Sequence, residues 1–254
     1  MNLYTFKLES FHISNTRSRH DDTDTVTFGL QVAGQQFPIQ SFFAGNLNNG
    51  DYPVNLVFGP VLITQDTTPA VFTYSIYNGN AGELPTSLVA LNQTFLSKVV
   101  SLTLKLSGAD TGFPNFSSGE AGADVPSSDD PFERPLTPQD NPFDNTSGWS
   151  DLFLGAIVGA IGGFLFPDCD GFVAGDGVGL SKKQWDEAIS SAGGTTLRIT
   201  MHYPGSNSPA GCGSNSDYTV TWSVTRETIK GSVRQALNTH GLHLHPGLRS
   251  LTQP

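Results

Sequence analysis

Three aspartates near the middle of the C-terminal half could bind a hard cation. Asp168, Asp170 and Asp176 lie close together in a glycine-rich stretch. Calcium takes several oxygen ligands from carboxylates and loop carbonyls, and a glycine-rich loop supplies both. The spacing departs from the helix–loop–helix calcium pattern, and aspartates are also common in ordinary turns. A calcium site is therefore one hypothesis, and turn-forming aspartates are the other.

A second polar cluster follows the first predicted strand and has the sequence His20-Asp21-Asp22-Thr23-Asp24. Loops at the ends of β-sandwiches often carry binding sites, and carboxylates with an imidazole can hold a metal ion. Arg17 and Arg19 lie beside the cluster, so the alternative is that they pair with the aspartates and hold the turn. The cluster predicts a binding loop that uses His20, Asp21, Asp22 and Asp24.

The chain has two cysteines, Cys169 and Cys212, each in a turn-forming sequence. Two cysteines admit a single bridge, which would enclose about 42 residues and contribute about 4 kcal/mol in a chain-entropy model. Such a bridge is typical of oxidising compartments. Residues 1–11 alternate apolar and polar side chains without a basic start, so they indicate a first strand and no cleavable signal peptide. We expect an extracellular or exported protein if the bridge forms.

Catalytic sequence patterns are not evident. The chain lacks Gly-x-Ser-x-Gly, His-Glu-x-x-His and the glycine-rich phosphate loop that ends in Lys-Ser or Lys-Thr. Cys212 and His202 could act as nucleophile and base, but a disulfide is the simpler account of the cysteine. We therefore expect a protein without catalytic activity, and a hydrolase with an inter-domain site stays an alternative.

The charge balance limits the partners. The formal net charge is −10, and charged residues make up 14% of the chain. Nucleic acid is excluded as an expected partner, and membranes are disfavoured, because anionic surfaces need clusters of lysine and arginine. A carbohydrate or a protein surface is expected instead, and a homo-oligomer is compatible with the sequence. Three aromatic residues near predicted loops could contribute to binding: Tyr52, Trp149 and Tyr203.

Alternating or apolar segments before residue 107 predict the strands of an antiparallel β-sandwich. These segments are Tyr4–Ile13, Thr25–Val32, Phe37–Phe43, Val54–Ile63, Val71–Tyr77 and Val99–Leu106. Residues 84–96 fit either a short helix or a further strand. The predicted organisation is mainly β: a sandwich domain over 1–106, an acidic linker rich in Pro, Ser and Gly over 107–149, and a small disulfide-tied α+β domain with short helices over 150–254.

Within the predicted second domain, residues 152–166 are apolar, and Gly155, Gly159 and Gly163 recur every four residues. On a helix these glycines would form a smooth stripe against which another backbone could pack. The segment would rise only about 22 Å, short of the roughly 30 Å hydrocarbon core of a bilayer. We expect a buried helix, and a membrane-active or self-assembling protein that uses this helix is the alternative.

The last part of the chain has clearer local signals. Ser181-Lys182-Lys183-Gln184 has the form of a capping box and predicts a helix that ends at Gly193-Gly194. Two alternating segments, 195–202 and 218–226, predict paired strands, and a final helix is expected over 227–238. Taken together, these patterns predict a non-catalytic binding or interaction protein that uses the loops of a β-sandwich.

Overall fold

The computed structural model describes residues 1–18, 21–79, 84–108, 171–204 and 216–229. Within these ranges the chain forms strands and two helices. The strands are β1 (Asn2–Asn15), β2 (Asp22–Val32), β3 (Gln35–Gln36), β4 (Gln40–Leu47), β5 (Gly50–Ile63), β6 (Pro69–Asn78), β7 (Gly171–Ser181), β8 (Thr196–Pro204) and β9 (Asp217–Thr228). The helices are α1 (Leu84–Gly108) and α2 (Lys182–Ser191).

The strands form two antiparallel sheets that pack face to face. The first sheet has the order β5-β1-β9-β8, and the second has the order β3-β2-β6-β7, with β4 also paired to β2. The mainly β fold with two packed antiparallel sheets is therefore confirmed. Because β7 pairs with β6, and β9 pairs with β1, strands from both sides of residues 109–170 share the same two sheets.

The sequence analysis placed those strands in separate domains, 1–106 and 150–254, and the described topology differs from that division. The physical reason is that alternation reports which face of a strand is apolar but not which strand lies beside it. β9 contributes to the first sheet through pairs that run from Asn2 with Thr228 to Asn15 with Asp217.

Aromatic side chains fill the space between the sheets. Successive side chains of a strand point to opposite faces, so every second residue of the facing strands enters the core. The ring centroids of Phe72 and Trp222 lie 5.0 Å apart, and those of Phe6 and Trp185 lie 5.7 Å apart. Trp185 belongs to α2, and its indole N–H donates to the carbonyl of Ala70 over 3.1 Å. The core therefore anchors α2 at one end of the sandwich.

The prediction of a strand over residues 99–106 is wrong, because α1 continues through them. Its buried side chains recur at helical spacing and face the outer surface of the second sheet: Leu88, Asn92, Phe95, Leu96, Val99, Val100 and Thr103. The β-branched Val99 and Val100 favour a strand locally, but burial of the apolar helix face against the sheet outweighs that preference. Residues 107 and 108, predicted as linker, also belong to α1.

Glycines on the second sheet allow α1 to approach closely. A methyl group added at Gly179 would lie 2.0 Å from Oγ1 of Thr103, and one at Gly177 would lie 2.8 Å from Cγ2 of Val99. The glycine-rich stretch that was predicted as a loop around Asp176 is therefore strand β7. Its glycines provide clearance for a helix rather than a turn.

The local signals before and within β9 had mixed outcomes. The capping box of Ser181 and Gln184 is present at the start of α2, as predicted. Strands β8 and β9 pair as predicted, with Ile199 opposite Trp222. The last helix does not begin at Glu227, because β9 extends to Thr228 and the N–H of Ile229 bonds to the carbonyl of Met1.

Several predicted features lie outside the described residues and stay predictions. They are His20, Trp149, Asp168, Asp170, the cysteines Cys169 and Cys212, the glycines Gly155, Gly159 and Gly163, and the linker from residue 109 to 149.

Candidate functional site

The connections that carry most of the predicted polar residues meet at one end of the sandwich. β1, β4, β6 and β8 end there, and β2, β5, β7 and β9 begin there. We call this the Asp22 end, and it comprises residues 12–24, 46–52, 74–79, 171–176, 202–204 and 216–219 as far as they are described. It brings Asp22 and Asp24 to the same end of the fold as Asp176 and Tyr203.

Asp22 holds the connection between β1 and β2. Its carboxylate accepts hydrogen bonds from the backbone N–H groups of Arg17 and Ser18, both at 2.7 Å. It also accepts from Nδ2 of Asn78 at 3.0 Å and from the hydroxyl of Tyr218 at 2.6 Å. The side chain is fully buried. Asp22 is thus a turn-holding residue that uses backbone donors.

Asp24 lies two residues further along the same face of β2, and its environment is less polar. Its Oδ2 lies 2.9 Å from the hydroxyl of Tyr218, while its Oδ1 is buried without a hydrogen-bond partner among the described residues. Burial raises the pKa of Asp24 to about 8; the bond from Tyr218 opposes this rise, and the charge of Asp22 adds to it. Asp24 is therefore protonated at neutral pH.

The Tyr218 hydroxyl links the two carboxyl groups of β2 to the opposite sheet. It has a single hydrogen, so it donates to one of them at a time. The hydroxyl lies 2.6 Å from Oδ2 of Asp22 and 2.9 Å from Oδ2 of Asp24, and both oxygens are placed to accept.

A third carboxyl group lies in the same region of the core. Asp176 lies opposite Tyr74 in the pairing of β7 with β6, and the N–H of Gly177 donates to its Oδ1 at 2.6 Å. Burial raises the pKa of Asp176 to about 7, and the Gly177 bond opposes that rise. The hydroxyl groups of Tyr74 and Tyr203 share a hydrogen bond between the sheets, and Tyr203 pairs with Tyr218 across β8 and β9.

These side chains form two neighbouring sets, one around Tyr218 and one around Tyr74, which together we call the buried polar layer: Asp22, Asp24, Tyr74, Asp176, Tyr203 and Tyr218. Asp24 is 0% exposed and Asp176 is 6% exposed. Carboxyl groups this deep cannot touch a substrate that stays outside the sandwich. Within the layer, Asp22 holds the β1–β2 connection through the backbone N–H groups of Arg17 and Ser18.

Exposed side chains at the same end are held in pairs. Nδ1 of His12 lies 2.8 Å from Oδ1 of Asp51, and Nε2 of His202 lies 2.8 Å from Oδ1 of Asp217. Thr219 lies opposite both histidines, on the strand between them. Because neighbouring strands are about 4.8 Å apart, the two histidines stand on one face about 10 Å apart at the backbone.

Two further bonds fix the neighbouring connection between β4 and β5. The Thr23 hydroxyl donates to Oδ1 of Asn46 at 2.8 Å, and the Tyr52 hydroxyl donates to the carbonyl of Asn48 at 2.6 Å. The Tyr52 ring also packs against Phe11, with centroids 5.4 Å apart. We call this exposed and half-buried set the polar rim: His12, Thr23, Asn46, Asn48, Asp51, Tyr52, His202, Asp217 and Thr219.

The predicted site residues have different positions in this arrangement. Asp21 is exposed, Asp22 and Asp24 are buried, and Tyr203 is partly buried with its hydroxyl on Tyr74. Among the described residues, no group of three or more His, Cys, Asp or Glu side chains is arranged to hold a metal ion.

Tyr218, the residue that connects the aspartates, is not among the predicted site residues. A signal was present, because Tyr218 belongs to the alternating set that places Val220 and Trp222 in the core. A phenol at such a position needs a buried hydrogen-bond partner. The partner itself could not be read from the pattern, because it lies on another strand.

Comparisons of the chain with protein-family models, with curated proteins and with solved structures find no match in any of the three. Within the described ranges, neither helix has the combination of length and apolar character that crossing a bilayer requires.

Proposed function

We propose that this protein is a non-catalytic binding protein whose contact surface is the polar rim at the Asp22 end. One observation carries the proposal: seven of the nine rim side chains are already held by hydrogen bonds, at the same end as the buried polar layer. Loops that a rigid scaffold positions are common sites of binding.

The fixed pairs favour binding because they reduce its entropic cost. Ordering a free polar side chain at an interface costs about 0.5–1.5 kcal/mol. In the rim, His12 is held by Asp51 and His202 by Asp217, each at 2.8 Å. Beneath them Tyr218 bonds to Asp22, which in turn fixes the backbone of the β1–β2 connection. A ligand would therefore meet donors and acceptors that are already oriented.

The chemistry of the rim favours a neutral ligand rich in hydroxyl groups. The rim offers amide oxygens, carboxylates, imidazole nitrogens and threonine hydroxyl groups, with Tyr52 as a nearby aromatic ring. The net charge of −10 disfavours an acidic ligand. A carbohydrate fits these features, and the polar surface of another protein is the second class of ligand.

The other hypotheses have less support from the described residues. A glycoside hydrolase of the usual type would need an accessible pair of carboxyl groups, whereas Asp24 and Asp176 are buried. A membrane-active or self-assembling protein would use residues 152–166, which lie outside the described ranges. Liposome flotation and a screen of glycoside, ester and peptide substrates would test these alternatives.

A carbohydrate array tests the proposal. The full chain would be applied to an array of neutral and acidic oligosaccharides, and a neutral compound that binds would be titrated by calorimetry. Asp51→Ala and His202→Ala should each weaken binding by about 3- to 10-fold, the usual effect of losing one hydrogen-bonding group.

Thr196→Ala is the matched control, because Thr196 is exposed on β8 at the opposite end from His202. Its affinity should equal that of the wild type. If no oligosaccharide binds, the carbohydrate ligand is rejected. If the control loses as much affinity as the rim variants, the rim is rejected as the contact surface.

A further inference from the structure

Exposed apolar side chains are concentrated on one side of the sandwich. Of the four large hydrophobic side chains that are exposed among the described residues, three lie on β4 and β5: Phe42 at 36%, Phe43 at 52% and Val57 at 38%. The side-chain amide of Gln40 bonds to both the carbonyl and the N–H of Val57, at 2.8 and 3.2 Å. These two strands therefore form one continuous surface, which we call the β4–β5 side and define as residues 40–47 and 50–63.

This surface is almost free of charge. β4 contains no charged residue, and the single charged residue of β5 is Asp51, which is bonded to His12. The whole chain carries a formal charge of −10. Two copies of such a chain repel one another in most relative orientations. The repulsion is weakest when uncharged surfaces face each other.

β4 is also an edge strand, and its pairing with β2 has one register shift, between Phe43 and Gly45. It pairs with β2 on one side, and no strand of the described residues pairs with its other side. Natural edge strands are commonly protected by lysine, proline or covering segments. β5 has Pro53 and Pro60, whereas β4 has neither proline nor lysine.

We propose that the β4–β5 side joins two copies of this chain through antiparallel pairing of β4 with β4 of the second copy. A two-fold interface uses the same surface of both copies, so an uncharged strand that can pair with itself meets the requirement. Phe42 and Phe43 follow one another and point to opposite faces of the sheet. Pairing centred on them buries aromatic side chains on both faces, which is the usual arrangement in strand addition. The β4–β5 side includes Asn46, Asp51 and Tyr52 of the polar rim, but the pairing is argued from β4 and does not rest on the binding function of the rim.

Sedimentation velocity of the full chain over concentrations from about 1 to roughly 200 µM tests this pairing, a range that covers typical weak dimers. The wild type should reach twice the monomer mass. Phe43→Asp places two carboxylates at the interface and should weaken association about 100-fold. Thr200→Asp is the control, because Thr200 is exposed on β8, the edge strand furthest from β5 in the first sheet. It should dimerise like the wild type.

Ser41→Lys is the second variant, because Ser41 is exposed on β4 and the change removes no apolar contact. It should also give a monomer, with a circular dichroism spectrum equal to that of the wild type. If Phe43→Asp does not fold, Ser41→Lys is the variant that tests the pairing of β4. A wild type that stays monomeric over the whole range overturns the proposal. If Phe43 is protected from solvent in that monomer, another segment of the same chain, such as residues 152–166, covers the β4–β5 side. Dissociation of Thr200→Asp to the same extent as Ser41→Lys would also overturn it.

Discussion

The hydroxyl of Tyr218 lies 2.6 Å from Oδ2 of Asp22, on the opposite sheet. At the other end of the sandwich, the hydroxyl of Tyr4 lies 2.5 Å from Oδ1 of Asp186 in α2. Each end is thus tied by a tyrosine and an aspartate. The two ends differ in the charges around them, because Asp186 also bonds to Lys182 and Arg226, whereas no cation bonds to Asp24 beside Tyr218 among the described contacts.

Replacing Asp24 should change how stability depends on pH. Since the folded-state pKa is raised to about 8, the contribution of Asp24 is fully present below the unfolded value and is lost as pH rises towards 8. Asn mimics the protonated acid and can donate to the Tyr218 oxygen. Asp24→Asn should therefore match the wild type near pH 4 and melt several degrees higher at pH 9, measured by thermal denaturation.

Asp66→Asn is the control for this comparison, because Asp66 is 70% exposed. It should melt no higher than the wild type at pH 9. Asp176 has a raised pKa as well, but it is present in all three proteins and cancels in the comparison. An Asp24→Asn protein that loses stability with rising pH as steeply as the wild type would contradict a protonated Asp24.

The cluster around Asp186 should lose its stabilising effect at acidic pH. Burial acts to raise the pKa of Asp186, but hydrogen bonds from Tyr4, Lys182 and Arg226 outweigh it and lower the pKa. Its contribution is therefore present above the unfolded value and is lost as pH falls through the folded value. Asp186→Asn should cost about 1–3 kcal/mol at pH 7 in urea denaturation, because the Lys182 ammonium loses one of its two carboxylates.

The neighbouring ion pair provides the control for Asp186. Lys183 and Glu187 are exposed and 3.9 Å apart, so Glu187→Gln should change the free energy of unfolding by less than about 0.5 kcal/mol. Equal losses in the two variants would mean that the Tyr4–Asp186 cluster adds nothing beyond surface charge.

Gly179 should be intolerant of a side chain because of α1. An added methyl group would lie 2.0 Å from Oγ1 of Thr103 and 3.1 Å from Cγ2 of Val71. Gly179→Ala should destabilise the protein by about 1–3 kcal/mol. The double variant with Thr103→Ala should recover part of the loss, because it removes the nearer atom. Additive losses in the double-mutant cycle would show that α1 does not contact the sheet at this position.

The predicted bridge between Cys169 and Cys212 has a direct chemical test. A reducing agent should lower the Tm of the wild type and leave a variant with both cysteines replaced by serine unchanged. Under native, non-reducing conditions, intact mass after treatment with iodoacetamide should show no added group. Two added groups would reject the bridge and the expectation of an oxidising compartment.

The strands were predictable wherever alternation was strong. The patterns around Phe6, Phe28 and Phe72 place β1, β2 and β6 correctly, and the capping box places α2. The glycine-rich β7 was not recognised, because its glycines reflect the approach of α1 rather than a turn. Residues 99–106 were misassigned for a related reason, since burial against the sheet outweighs the strand preference of valine.

The candidate site was predictable only in part. Asp22 and Asp24 could be identified as a polar cluster, but their shared partner Tyr218 lies 196 and 194 residues away in the chain. The pairing of His12 with Asp51 also depends on the register of β1 against β5. Neither relationship has a local signal, because each arises from the arrangement of the two sheets.

A nitrogen–proton NMR titration would locate ligand binding residue by residue and so test whether the polar rim is the contact surface. The oligosaccharide selected on the array would be added to the labelled full chain. We expect amide shifts around His12, Thr23, Asp51 and His202, with none around Asp66 and Lys182 at the opposite end. Shifts centred on Asp66 and Lys182, with an unchanged rim, would contradict the account.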